Sequence, residues 1–313
     1  MSADTSIRQR CPACTALLAG WLLTLVGTSS ATAAGTNSLS AYTQAPECAE
    51  AVAQGRLPAL DERLPARPLL VRPVERIGRY GGTWHLAILS PNDTDILYRT
   101  IGYENLVSWD ANWTHVVPNV AEAYTVSPDA KEYTFRLRKG MRWSDGAPFT
   151  VDDILFWFED VYSVYGGAER QWLGTDLKVE KVDGQTVRFR FDKPHGLLLE
   201  YLASPNVAAP TTFPKHYLQQ FHPRYHPDAE QLARAAGFAS ASERLQRAAF
   251  LFSAQQYFKG KPTLGAWVTT NELPGKLDSV QLAGTRLIAV RNPYYWKIDP
   301  AGQQLPYIDE VTV

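Results

Sequence analysis

Apolar and polar positions alternate most cleanly between Glu132 and Lys139, where Tyr133, Phe135 and Leu137 face one way and Thr134, Arg136 and Arg138 the other. A period of two over this length predicts a half-buried strand. Ser127-Pro128-Asp129 supplies the turn into it, which makes Tyr124–Val126 its expected partner. The period then changes. Ile154, Leu155, Trp157, Phe158, Val161, Tyr162 and Tyr165 fall on one arc of a helix, with Asp152, Asp153, Glu159, Asp160 and Ser163 opposite. Phe156 alone breaks the pattern, pointing out among the acids. Ser144-Asp145-Gly146 turns the chain, and Thr150 with Asp153 three positions on is a capping-box variant that starts the helix near Val151.

The flanking chain reads in the same terms. Trp84, Leu86 and Ile88 alternate with Thr83, His85 and Ala87, predicting a strand over Thr83–Leu89. A helix over Asn92–Ser108 would carry Ile96, Leu97, Ile101 and Leu106 inward. Asp183-Gly184 separates Leu177–Val182 from Gln185–Phe191, a type I′ hairpin signal with Val187, Phe189 and Phe191 on its buried face. Short helices are expected at Gly196–Leu202 and from Phe213 to Leu218, the latter with Pro214 at its first turn. One or two surface helices broken at Gly237 occupy Asp228–Gln256, and Leu287–Val290 is a strand. Between Thr36 and Gly82, Pro46, Pro58, Pro65, Pro68 and Pro73 are too closely spaced for a long helix. That stretch should run extended over a surface, apart from a short helix at Cys48–Gln54.

Composition narrows the class. With 45% apolar and 20% charged residues in 313, the chain is long enough for a substantial core. A net charge of −1 gives the overall balance no pull toward nucleic acid or an anionic membrane. Residues 1–33 read as a signal peptide: Arg8 and Arg10, an apolar run over Ala16–Val26, then Ala31-Thr32-Ala33 at the cleavage site. Cys11 and Cys14 would leave with it, so Cys48 has no partner for an internal disulfide. Export to a bacterial periplasm follows from this reading.

Catalytic signatures are missing from the sequence. It has no G-x-S-x-G and no H-E-x-x-H, and Gly81-Gly82 lacks the lysine of a phosphate loop. Asp152-Asp153 belongs to a helix start and Glu159-Asp160 to a polar helix face. His216, His222 and His226 are spread along a proline-broken loop, which suits solvated histidines better than metal ligands. No enzyme, cofactor or metal is expected.

The run from Tyr103 to Trp157, with YENL and VVPNVAEAYTVSPDAKEYTFRLRKGMRWSDGAPFTVDDILFW, closely resembles the family 5 extracellular solute-binding proteins of ABC importers. Arg291-Asn292-Pro293-Tyr294-Tyr295-Trp296 and the PYID segment, Pro306 to Asp309, extend the match. The resemblance implies an α/β fold of the type II periplasmic binding-protein kind, a mixed-sheet lobe with a small α+β subdomain. In the family these later motifs lie mid-chain, so the second lobe is expected to be missing, the chain a fragment and its last strands short of partners. The first lobe would comprise 83–108 and 195–313, the small extra domain 109–194, and 34–82 a proline-rich N-terminal segment. Such a protein, a monomer, captures a small-molecule ligand, peptide or oligosaccharide, and hands it to an ABC permease with its ATPase subunits. Peptide is the family's usual substrate class. Ligand contacts are expected at the strand exit, Ser90, Asn92 and Asp93, whose polar groups would face the cleft. Trp109 and Trp113, with Trp172 and Trp267, are the indoles that could stack on a sugar.

Overall fold

Two four-stranded sheets organise the computed structural model, which describes residues 42–87, 101, 103–165, 173–204, 210–249, 260–271 and 286–313. In chain order the strands are β1 (Leu69–Leu70), β2 (Thr83–His85), β3 (Val107–Trp109), β4 (Val116–Pro118), β5 (Ala121–Val126) and β6 (Glu132–Leu137). They continue with β7 (Lys178–Lys181), β8 (Thr186–Arg190), β9 (Trp267–Thr269), β10 (Ile288–Arg291), β11 (Lys297–Ile298) and β12 (Glu310–Thr312). Strands β5-β6-β8-β7 form an antiparallel sheet, and β2-β12-β10-β9 a mixed one in which only β2 and β12 are parallel.

The antiparallel sheet follows the alternation of its sequence. Phe135 lies opposite Val187 and Tyr133 opposite Phe189, all four side chains buried on one face. The β7–β8 hairpin forms, but not through a type I′ turn, because neither Asp183 nor Gly184 has positive φ. Asp183 Oδ1 instead accepts from Gln185 N at 2.7 Å while Val182 N donates to Thr186 O at 2.9 Å, so a side chain closes the loop that positive φ would otherwise close.

Across this sheet lies the helix that Thr150 starts. Thr150 N donates to Asp153 Oδ2 at 2.8 Å and Asp152 N to Thr150 Oγ1 at 3.2 Å, the capping box expected from the sequence. Before it, Gly146 adopts φ +89° with the Tyr294 hydroxyl against it, so a side chain there would be strained and crowded at once. Val151–Phe156 runs on into a π-helical stretch, Trp157–Tyr162, and a last α turn, Ser163–Tyr165.

Phe156 departs from the reading of the sequence. It is 2% exposed, packed against the rings of His222 and Tyr225. The supposed solvent side is covered by the segment after Pro210, and the acids there are its anchors. Asp153 Oδ1 accepts from Lys215 N at 3.0 Å; Asp160 accepts from Arg224 Nη1 at 3.1 Å and from Tyr225 Oη at 2.6 Å. Periodicity reports polarity, and a buried carboxylate with several donors looks the same in sequence as a solvated one.

Other differences have equally local causes. The helix expected to reach Ser108 does not, since Val107 already pairs with Pro118 in the β3–β4 hairpin. Strand β12, expected to lack partners, is held on both sides by β2 and β10. The proline-rich stretch has no long helix, as expected; the short helix predicted at Cys48–Gln54 forms as Pro46–Ala53, and a second, one-turn helix, Leu60–Arg63, follows it. Arg63, fully buried, donates to Pro58 O, Pro293 O and Gln44 Oε1; Ala66 N reaches Lys139 O at 2.9 Å; β1 pairs parallel with β11.

Replacing Asp153 by Ala removes a cap and leaves two backbone donors without their acceptor, which should lower stability by about 3 kcal/mol. Asp152→Ala, losing only an exposed pair with Lys181, should cost no more than about 1 kcal/mol. Urea unfolding followed by tryptophan fluorescence distinguishes the two.

Candidate ligand cavity and the polar junction beneath it

Glu104 brings distant stretches of the chain to one point. Its carboxylate is buried and accepts from Tyr295 Oη at 2.5 Å and Asn119 Nδ2 at 2.9 Å, with Lys297 Nζ 2.8 Å away. Asn119 in turn accepts from Arg138 Nε at 2.8 Å through its carbonyl, and the Arg138 guanidinium lies over the Trp296 ring. Trp296, fully buried, donates to Leu264 O at 3.2 Å, and Asn292 Nδ2 to Gly265 O at 2.8 Å. Each charge is thereby partnered, as burial requires. Burial and then Glu104 hold the Tyr295 phenol well above its ordinary pKa, so it donates at any physiological pH.

Above this junction opens a cavity of about 320 Å³, within the range of small-molecule sites. Tyr103, Trp267, Tyr295 and Tyr307 give it aromatic walls, with Ile101 and the Leu305–Ile308 stretch completing them. Trp267 is fixed by Nε1 donating to Ile308 O at 3.1 Å and by an edge contact with Trp84. Tyr307 donates to Asp299 Oδ2 at 2.7 Å. Close in sequence, Lys261 is buried, donates to Ala249 O at 2.6 Å and lies over Phe213; burial pulls its amine down to about 7.

Of the residues expected to contact ligand, Trp109 and Trp113 come together, stacked with centroids 6.3 Å apart and planes at 22°. Trp109 packs on the core, whereas Trp113 is 67% exposed and has φ +58°, rare for a large side chain. The turn is stiffened by Asp110 Oδ1, which accepts from Thr114 N at 2.7 Å and His115 N at 3.2 Å. Neither indole lines the 320 Å³ cavity. Ser90, Asn92, Asp93 and Trp172 lie outside the described residues. The histidines are less solvated than expected: His216 pairs with Asp145 Oδ2 at 2.7 Å, and His222 packs on Phe156 beside Asp160. Among the described residues no three His, Cys, Asp or Glu side chains converge as a metal site.

The cavity's own liners were hidden in the sequence, Trp267 apart. They come from four stretches of the chain, and the available signal was that Tyr103, Tyr295 and Tyr307 lie within the motifs YENL, RNPYYW and PYID.

A mixed-sheet lobe joined to an antiparallel α+β unit is the architecture of the type II periplasmic binding proteins, shared with the solved neighbours below. The chain belongs to the bacterial extracellular solute-binding proteins, family 5, whose family model, described as "Middle", matches residues 115–313. It is similar to the periplasmic alpha-galactoside-binding protein of Rhizobium meliloti (strain 1021), 28% identical over 83% of this chain and 37% of that protein. Among solved structures it resembles an oligopeptide-binding protein, OppA, at 34% identity and TM-score 0.74, covering 87% of this chain and 41% of that one. It also resembles the periplasmic binding protein MelB of Agrobacterium fabrum C58, in complex with stachyose, at 27% identity and TM-score 0.66, covering 87% and 40%. The chain therefore spans roughly two-fifths of the length of the relatives it matches.

Two substitutions test this region. Glu104→Gln leaves Lys297 without its partner and should cost about 3 kcal/mol in urea unfolding, in line with breaking a buried pair from one side. Lys261 has a folded pKa below its unfolded value of 10.5, so the unfolded chain binds more protons between about 7 and 10.5. Stability should rise with pH across that window, with this residue contributing up to about 1.4 kcal/mol per pH unit. In Lys261→Met that contribution should vanish, which unfolding titrations at pH 7, 8 and 9 would show.

Proposed function

We propose that this chain forms one wall of the ligand cleft of a periplasmic solute-binding subunit that captures oligopeptides or dipeptides and presents them to an ABC permease. In this reading residues 83–108 and 195–313 supply the first lobe and 109–194 the extra domain, with ligand selecting a form closed against a second lobe. The observation that carries the peptide assignment is the position of the cavity beside β9. Among the described residues β9 is an outer strand of the mixed sheet, and Trp267 belongs both to it and to the cavity wall. An extended peptide entering there could pair with main-chain groups while its side chains fill the aromatic space. The similarity to OppA at 34% identity supports the same class. Ser90, Asn92 and Asp93, which follow β2 in sequence, are assigned polar contacts to the same ligand.

One observation favours a second reading. Trp113 presents an exposed indole, backed by Trp109 on a stiffened turn, and such a face suits a sugar ring. Oligosaccharide is the ligand in that case, in keeping with the similarity to MelB and the alpha-galactoside-binding protein.

Thermal melts of the full chain with di- to pentapeptides and with stachyose decide between them. A melting temperature that rises with peptide concentration is expected, since a ligand at a hundred times its Kd adds about 2.7 kcal/mol. A rise with stachyose alone, weakened about five- to tenfold in affinity by Trp113→Ala, would select the sugar reading. A melt indifferent to both classes would overturn each of them for this chain.

A further inference from the structure

A segment remote from the stacked indoles carries chemistry that neither reading uses. Residues 71–82, between β1 and β2, form no helix or strand, yet both ends are fixed. Val71 N donates to Ile298 O at 2.8 Å, Tyr80 Oη to Gln304 O at 2.8 Å and Gly81 N to Tyr307 O at 3.0 Å. Gly78 packs so closely on Tyr307 that a Cβ added there would overlap the ring. The arm is thus fixed to the body at Val71, Gly78, Tyr80 and Gly81, with Arg72–Ile77 exposed between these anchors except for the half-buried Pro73.

Its side chains alternate in and out over Leu70–Val74 and then stay exposed through Ile77. Val71 and Pro73 are half-buried, while Leu70, Arg72, Val74 and Arg76 are exposed, followed by Ile77 and Arg79. Leu70 is 44%, Val74 92% and Ile77 43% exposed. Single exposed aliphatics need no explanation, but three within eight residues, interleaved with arginines, form a mixed surface. Neither a salt bridge nor a hydrogen bond engages the side chain of Arg72, Arg76 or Arg79 among the described residues, in contrast to Arg67, which pairs with Glu122 at 2.7 Å. Against Glu75, the three arginines leave the arm at +2 in a chain whose net charge is −1.

We propose that the arm Leu70–Arg79 docks on an anionic phospholipid surface, the guanidinium groups pairing with lipid phosphates and Val74, with Leu70 and Ile77, entering the headgroup boundary. Unpaired guanidinium groups match phosphate oxygens in geometry as well as charge. The apolar partners are aliphatic, whereas the cores of protein interfaces draw on aromatic side chains and methionine. Exposed side chains along one stretch also meet a flat array of charges without needing a complementary groove. The assignment does not rest on what the ligand cavity binds, so it stands or falls apart from the solute reading.

Co-sedimentation of the full chain with vesicles tests it. The chain should pellet with phosphatidylglycerol–phosphatidylethanolamine vesicles, not with phosphatidylcholine vesicles, and should be released by high salt as the charges are screened. Each single Arg→Gln change at 72, 76 or 79 should lower partitioning about fivefold, and the triple change on the order of a hundredfold. Val74→Ser should weaken it further, and Arg234→Gln, elsewhere on the surface, should leave it unchanged. Melting curves of each variant show whether the fold is kept. Equal pelleting of parent and triple variant, or no pelleting of the parent with phosphatidylglycerol, overturns the proposal. Capture by polyglutamate but not by anionic vesicles would overturn the lipid in favour of an acidic protein partner.

Discussion

A carboxylate taken out of water must be met by donors, and in this protein the requirement at Glu104 decides how the pieces meet. Its partners come from the β4–β5 junction (Asn119), from the turn after β10 (Tyr295) and from β11 (Lys297). Only the first of these is near Glu104 in sequence, so the network can be completed only when the β4–β5 junction and the return of the chain after β10 are both in place. Arg138 over Trp296 extends the same constraint to β6 and its neighbours. Removing one member leaves the others charged and buried, which ties local changes to a wide region. Glu104, Asn119, Arg138, Tyr295 and Trp296 also belong to the motifs that carry the family resemblance, so a physical reason stands behind those motifs: they build the joint.

The parts of the fold that could be read from the sequence are those in which one stretch carries its own instruction. The Thr150–Asp153 box, the Ser127 turn and the alternation of β6 each lie within a few residues and form as expected. Phe156 shows where that logic ends. Its place among acids signals solvent only if nothing else needs those acids, and here Lys215, Arg224 and Tyr225 do. Asp183 shows a subtler limit, because the same dipeptide that favours positive φ also carries a side chain able to close the loop without it.

The candidate site was legible only in fragments. Trp109 and Trp113 were visible as indoles able to stack on a sugar, yet their stacking on each other depends on the Asp110 loop and on Trp113 accepting φ +58°. That strain and exposure coincide at one indole is the physical ground for treating it as more than surface decoration. The cavity is different in kind. Ile101 and Tyr103, Gly265 to Trp267 and Leu305 to Ile308 meet only through the mixed sheet and the Glu104 joint. No local pattern encodes such a meeting.

Tyr307 connects features that otherwise look separate. Its ring borders the cavity and receives Gly78 from the exposed arm, while its hydroxyl donates to Asp299. The arm and the cavity therefore share a wall with little slack, since the space beside Gly78 admits no additional atom. A solute that displaced the Tyr307 ring would have to move the arm, and a surface that fixed the arm would restrict the ring. Linkage makes such an effect reciprocal: whatever factor a docked surface imposes on solute affinity, the solute imposes on docking. Its size depends on how differently the two positions of Tyr307 are bound, and a ligand that leaves the ring where it is would produce none.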